Sequence, residues 1–349
     1  MTPPPAPTSP PSTAAAPTLQ LGFSAGELVG MNSTDIAATL DRYQAAGGTV
    51  IRFDLNWARV QPTGPTSWDW SAFDRIISAL SARHLTALPI LDYTPAWARP
   101  SGCSSEQCGP ADPSAFATFA AAAVARYTSQ GVKAWELWNE QNTSWLPTPD
   151  VTAYGRLLRL TSVAVHAADP AAQLLVGGLA PAVTAGGTYS PQDFVADLYS
   201  AGLGSSLDGV AVHPYCFPAL PGEGQSWSGW SQMVAVHDVM TSYGDGAKGV
   251  WATEFGAPTN GRGAIATYAN RAYSLHPDHV DADLQARTVD AGISAAETLP
   301  WLRMLLWYSV EDLGASSTTN VNSFGLLNPN GTAKPAYTRW QAGVQSLPS

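Results

Sequence analysis

Lysine is almost missing from this chain. Three lysines stand among 349 residues, and 17 basic side chains face 27 acidic ones, for a formal net charge of −10. Nucleic acids and anionic membrane surfaces are held by clustered cations, so both are excluded as partners and a neutral one fits better. Cysteine is scarce as well, at three. Cys103 and Cys108 lie five apart in "RPSGCSSEQCGPADP", a spacing that suits a small disulfide-closed loop outside the cytosol. Two thiols without a neighbouring Cys or His pair make a poor zinc site, and Cys216 reads as a buried thiol. No apolar run of signal-peptide or membrane-spanning length stands at the start. Instead every residue from Thr2 to Thr18 is Pro, Ala, Ser or Thr. That composition cannot bury a core and reads as an extended linker over 1–18, with one domain over 19–349. Such a linker commonly follows a removed signal or anchor, so a secreted or cell-envelope protein is expected.

What the chain does have is aromatic residues and short apolar runs. Thirteen tryptophans and twelve tyrosines serve core packing, and some can line a groove for flat, weakly polar faces such as sugar rings. Strands are expected near 19–24, 49–57, 86–94, 133–140, 173–180, 207–215, 249–257 and 304–312. Amphipathic stretches such as "SAFDRIISALSARH" and "TAYGRLLRLTSVAVHAADP" lie between them. Strands apolar on both faces that alternate with helices imply a parallel sheet covered by helices. Eight such units suit a closed (β/α)8 TIM barrel. No glycine-rich phosphate loop follows the first strand, which counts against a doubly wound open sheet.

Polar and aromatic residues gather where the expected strands end: Arg52, Asp54 and Asn56; Asp92 and Tyr93; Asn139 and Glu140; His213 and Tyr215; Glu254; Trp307 and Tyr308. This is the barrel face on which enzymes of this architecture place their sites. Strands four and seven lie on opposite sides of an eight-stranded barrel, so Glu140 and Glu254 can face each other across its mouth. Two opposed carboxyls suit glycosidic bond cleavage, one as acid and the other as base or nucleophile. A separation of about 5 Å goes with retention of anomeric configuration and about 6.5–9.5 Å with inversion.

"WELWNEQN" at 135–142 resembles the fourth-strand motif of clan A retaining glycoside hydrolases, W-E-x-W-N-E-P-N, and "WATEFG" resembles their seventh-strand motif. "TVIRFDLNWARVQP", "ILDYTPAWA", "VGGLAP", "VAVHPY" and "FGLLNPNGTAKPAY" follow in the same order. The likeness spans roughly residues 20–345 and is strongest to glycoside hydrolase family 39, especially bacterial exopolysaccharide endoglycosidases, with family 5 nearby. The resemblance implies Glu140 as acid/base, Glu254 as nucleophile and Asn139 as donor to the sugar 2-hydroxyl. It also implies Arg52 and Tyr215 as the groups that aim the nucleophile, and His213 and Trp307 as lining of the sugar site. A poly- or oligosaccharide is the implied substrate, with no cofactor, no metal and a monomeric chain. Gln141 departs from the family's proline, and either loosens the acid's loop or adds a contact.

Several residues keep two readings. Glu136 is expected as a buried partner of an arginine. Asp54 and Asn56 either bind sugar or satisfy the barrel interior, and Asp92 leans to the site. His276 and His279 read as a solvated loop. A carbohydrate-binding barrel without turnover and a transglycosylase are the alternatives, the latter with Trp145, Trp227 or Trp230 building an acceptor site. Sugar identity belongs to the loops around "CFPALPGEGQSWSGW" and from Thr259 to Asp283.

Overall fold

The structure, a computed structural model, describes residues 18–314 and 319–347. The expected linker falls almost wholly outside them. Eight parallel strands close into one barrel: β1 Gln20–Ser24, β2 Val50–Asn56, β3 Thr86–Asp92, β4 Ala134–Asn139, β5 Gln173–Leu179, β6 Gly209–Val212, β7 Gly249–Phe255 and β8 Leu302–Trp307. Neighbours in sequence are neighbours in the sheet, and β8 closes onto β1 with Gln20 opposite Met304. A principal helix follows each strand: α1 Ser33–Ala45, α2 Ser71–Ser81, α3 Pro113–Tyr127, α4 Val151–Ala168, α5 Pro191–Ser200, α6 Gly229–Ser242, α7 Ala282–Glu297 and α8 Pro335–Ser346. The expected (β/α)8 barrel is what the chain forms. None of the described helices is long and apolar enough to cross a membrane.

The helix starts are written locally. Asn32, Asp112, Asp150, Ser190, Ser228 and Asp281 each accept a backbone N–H of the first turn of the helix they precede. Each such cap contributes about 1 kcal/mol, and Pro113 and Pro191 follow two of them at the position where a missing N–H is harmless. The apolar residues then divide between two compartments. Ile51, Phe53, Leu137, Val176 and Leu305 face the helices, whereas Val50, Leu88, Ala134, Leu175, Ala211, Trp251, Met304 and Leu306 fill the barrel interior. Strand side chains alternate, so the inward positions above this apolar plug belong to Arg52, Asp54, Asp92, Glu136 and their neighbours. The plug thus lifts the polar groups to the C-terminal mouth.

Beside that mouth, Cys103 and Cys108 form the expected disulfide, and Cys216 is a buried free thiol.

Candidate active site

Arg52 is the centre of the mouth, and it is only 2 % exposed. Its Nε and Nη2 donate to Glu136 Oε1 and Oε2 at 2.8 and 3.1 Å, a two-pronged pair with the arginine partner expected for Glu136. Nη1 donates to Glu254 Oε1 at 2.6 Å and to Ser24 Oγ at 3.1 Å, and Nη2 reaches Asn139 Oδ1 at 2.8 Å. Burial alone would lower the Arg52 pKa, but the charges of Glu136 and Glu254 outweigh it and keep the guanidinium ionised.

Glu254 ends β7 with its second oxygen, Oε2, accepting from the Tyr215 hydroxyl at 2.8 Å. Burial would raise its carboxyl. The field of His213 and Arg52, with hydrogen bonds from Tyr215 and Arg52, reverses that and holds it below the usual carboxylate range. Arg52 is the permanent charge among these. Its Nη2 lies 3.3 Å from His213 Nε2. On the other side of the ring, Nδ1 lies 2.9 Å from Glu140 Oε1 and donates there. One oxygen of Glu140, one of Glu254 and a ring nitrogen of His213 all lie within 4.8 Å of one another. This trio has the donor types for a metal ion, but the guanidinium already occupies Glu254 and abuts His213. A divalent cation there would meet a fixed positive charge, so the donor set does not fit a metal.

Local backbone explains how adjacent residues of β4 both reach this group. Simple alternation would bury either Asn139 or Glu140 on the wrong side. Trp138 and Glu140 take positive φ, 72° and 52°, and Trp138 swings out to pack on Trp145 and Phe116. Asn139 and Glu140 are thereby both delivered to the mouth. Room for the turn comes from β5: a Cβ at Gly177 would sit 1.9 Å from the Trp138 carbonyl oxygen, and one at Gly178 would sit 2.1 Å from His213 Nε2. The paired glycines of "VGGLAP" are space for the strand that carries Glu140 and for the histidine. Gln141 adds a contact rather than loosening the loop, since its Nε2 donates to the Gly177 carbonyl at 3.0 Å.

No family model and no curated protein matches the chain. Solved structures do. A family 39 glycoside hydrolase from the gut symbiont Bacteroides cellulosilyticus is 22 % identical at a TM-score of 0.71, covering 95 % of this chain and 64 % of that one. A GH39 β-xylosidase from Caulobacter crescentus is 19 % identical at 0.67, covering 95 % and 72 %. A GH5_18 protein from Streptomyces cattleya, solved in complex with GlcNAc, is 18 % identical at 0.70, covering 95 % and 80 %. The fold is that of the clan A glycoside hydrolases. The chain spans less than two thirds of the length of the first of these structures.

Not every expected residue is at the mouth. Trp307 is fully buried on the outer face of β8, between Phe255 and Trp340, with its indole N–H donated to the Phe324 carbonyl at 2.8 Å. It packs the sheet against the helices and lines no sugar site. Met304 and Leu306 point inward, so the next inward position is Tyr308. Burial raises its phenol to about 12, and the charges of Glu254, Glu27, Asp54 and Glu140 add to the rise. Trp145 and Trp230 are likewise core residues, at 5 % and 4 % exposure. Trp227 is different. With Tyr215, Phe217 and Tyr273 it lines a cleft of about 500 Å³ opening beside the tyrosine that holds Glu254, and its ring stacks on Tyr273 at 3.8 Å between centroids.

Asn56 caps the short helix Trp57–Val60 through Arg59 N, which is the structural reading of that residue. His276 joins the same cleft, and His279 lies 3.6 Å from Asp278. No third ligand-type side chain joins the two histidines among the described residues. Asp92 is completely buried and Asp54 lies beside it.

Proposed function

We propose that the protein is a retaining glycoside hydrolase that cuts within a polysaccharide, with Glu254 as nucleophile and Glu140 as general acid/base. The observation that carries this reading is the carboxylate separation: oxygens within 4.8 Å fit the short spacing, about 5–5.5 Å between carboxyl groups, of a covalent route rather than the wider one that admits water. The two carboxyls also differ in surroundings. Glu254 has both oxygens engaged by Arg52 and Tyr215 and is held ionised, whereas Glu140 is a third exposed and its carboxyl meets His213 alone among the described residues.

Glu254 then attacks the anomeric carbon while Glu140 gives its proton to the departing oxygen. Water, deprotonated by Glu140, later cleaves the glycosyl ester. Asn139 offers its Oδ1 to Arg52, which leaves the amide N–H groups for the sugar 2-hydroxyl, a bond that tightens as positive charge develops on the ring. The aromatic cleft supports interior cutting, because it can seat sugar units beyond the cleaved bond. The Cys103–Cys108 disulfide suits a place outside the reducing cytosol.

The test is a polysaccharide panel treated with wild type and Glu254→Gln side by side, with products sized and their first-formed anomer read by NMR. Oligosaccharides of retained configuration from the wild type alone are expected. Equal release by both proteins, or inversion, refutes the assignment.

A further inference from the structure

Asp54 and Asp92 take no part in the steps above. They project into the barrel from neighbouring strands, β2 and β3, with their carboxyl groups against each other. Asp92 is inaccessible to solvent, and no N–H or hydroxyl among the described residues donates to either of its oxygens. The nearest permanent cation, Arg52, is already bound by Glu136, Glu254, Asn139 and Ser24. Two bare carboxylates in such contact repel each other and lose hydration, so one proton must lie between them. Burial, then the negative charge of Asp54, pushes Asp92 well above the usual carboxylate range. Burial raises Asp54 as well, but the Arg52 charge and the bond from Asp92 work against the rise. Asp92 is therefore the donor and Asp54 the acceptor. Gly26, just past β1, lies against Asp54, where a Cβ would meet Oδ2 at 3.7 Å, and Asp54, unlike Asp92, is partly exposed.

We propose that Asp54, fixed by the proton it shares with Asp92, accepts two adjacent hydroxyls of the sugar seated over Glu254 and restricts that position to neutral sugars. This rests on the glycosidase reading. A carboxylate held this way offers acceptors only, and a vicinal diol supplies two donors at matching spacing. A uronic acid would instead bring a second carboxylate against a wall that already holds Glu27, Glu106, Glu136 and Glu254, with Tyr93 and Tyr308 uncharged and Arg52 as its buried cation. Asp92 touches no solvent and acts through Asp54 as a positioning residue.

Infrared difference spectra at pH 7 test the shared proton, and 4-nitrophenyl β-D-xylopyranoside, β-D-glucopyranoside and β-D-glucuronide test the sugar contact. Asp92→Asn is expected to lose a neutral-carboxyl C=O band that the wild type shows, and Asp54→Asn to keep it at a shifted position, because burial holds the proton on Asp92. Asp92→Asn, whose amide can donate as the acid does, should keep KM within about twofold. Asp92→Leu should raise KM about tenfold or more with kcat less affected, the size expected for a lost hydrogen bond to a charged group. Glu140 keeps its own alkaline limb of kcat/KM in both variants, so the difference in KM between Asn and Leu at position 92, with kcat little changed, is the readout that a purely structural role would not give. The glucuronide should not be cleaved. The proposal is overturned if no carboxyl band disappears, if Asn and Leu at 92 give equal KM in folded protein, or if the glucuronide is cleaved as fast as the glucoside. Should the wild type cleave neither these probes nor any polysaccharide of the panel, the glycosidase reading falls and the sugar contact with it, whereas the shared proton is still judged by the infrared band.

Discussion

Removing one oxygen atom, in Tyr215→Phe, isolates what holds the nucleophile ready. The Tyr215 hydroxyl donates to Glu254 Oε2 at 2.8 Å, and both groups are buried. A hydrogen bond to a charged group contributes about 1.5–3 kcal/mol, and 1.36 kcal/mol corresponds to one pH unit in a proton equilibrium. Arg52 stays 2.6 Å from the other oxygen, so Glu254 remains ionised at neutral pH but less firmly. Activity needs the carboxylate, is present above the folded pKa and is lost as pH falls through it. Weakening the depression therefore moves the acidic limb of kcat/KM upward, by about one pH unit. The same bond contributes to folding only while Glu254 is ionised. Tyr215→Phe should thus be less stable than wild type at neutral pH, with the gap closing as pH drops below the folded pKa. Initial rates across pH and thermal melts at neutral and acid pH measure both. An unmoved acidic limb with kcat/KM within twofold of wild type would refute the idea that Tyr215 sets the charge of Glu254.

Glu140→Ala should cut kcat/KM about 10²–10⁴-fold on substrates with poor leaving groups, but far less on 2,4-dinitrophenyl glycosides, whose leaving group needs no proton; equal losses on both would remove the acid role. Trp307→Ala should lower stability by about 3–5 kcal/mol, as for a large buried aromatic, and Tyr308→Phe should alter kcat/KM while leaving the melting temperature nearly unchanged; the reverse pattern would exchange their places. Replacing Cys103 and Cys108 by serine closes no loop, and for so short a separation the loss is about 2 kcal/mol in chain-entropy accounting, visible as a modest fall in melting temperature.

The eight strands were legible because a parallel barrel strand is apolar on both faces and stands between amphipathic helices. The same property hid which face is which. In "LRMLLWYSV" every position from Met304 to Tyr308 is apolar or aromatic, so over that run the residue types do not say that Trp307 turns outward and Tyr308 inward. Only the partners do: Met304 and Leu306 pack with Val50 and Leu88 inside. At β4 the alternation itself fails, since the positive φ of Trp138 depends on Gly177 of the next strand. The meeting of Arg52 with Glu136 and Glu254, and of Asp54 with Asp92, depends on strand register, which residue types along one strand do not encode. Trp145 and Trp230 misled for a different reason. A loop or helix-start tryptophan is as useful for filling the gap between barrel and helices as for stacking on a sugar.

Arg52 has a consequence for how the protein comes apart. Its guanidinium and the groups it touches belong to β1, β2, β4, β7 and the end of β6. One side chain is therefore the tie rod of the rim as well as the anchor of the nucleophile. Heat or denaturant that parts these strands must leave buried carboxylates without their cation, a cost of several kcal/mol, so opening of the rim and loss of catalysis should be a single event. The loops above it are under no such constraint: they can be exchanged while the floor beneath them keeps its shape.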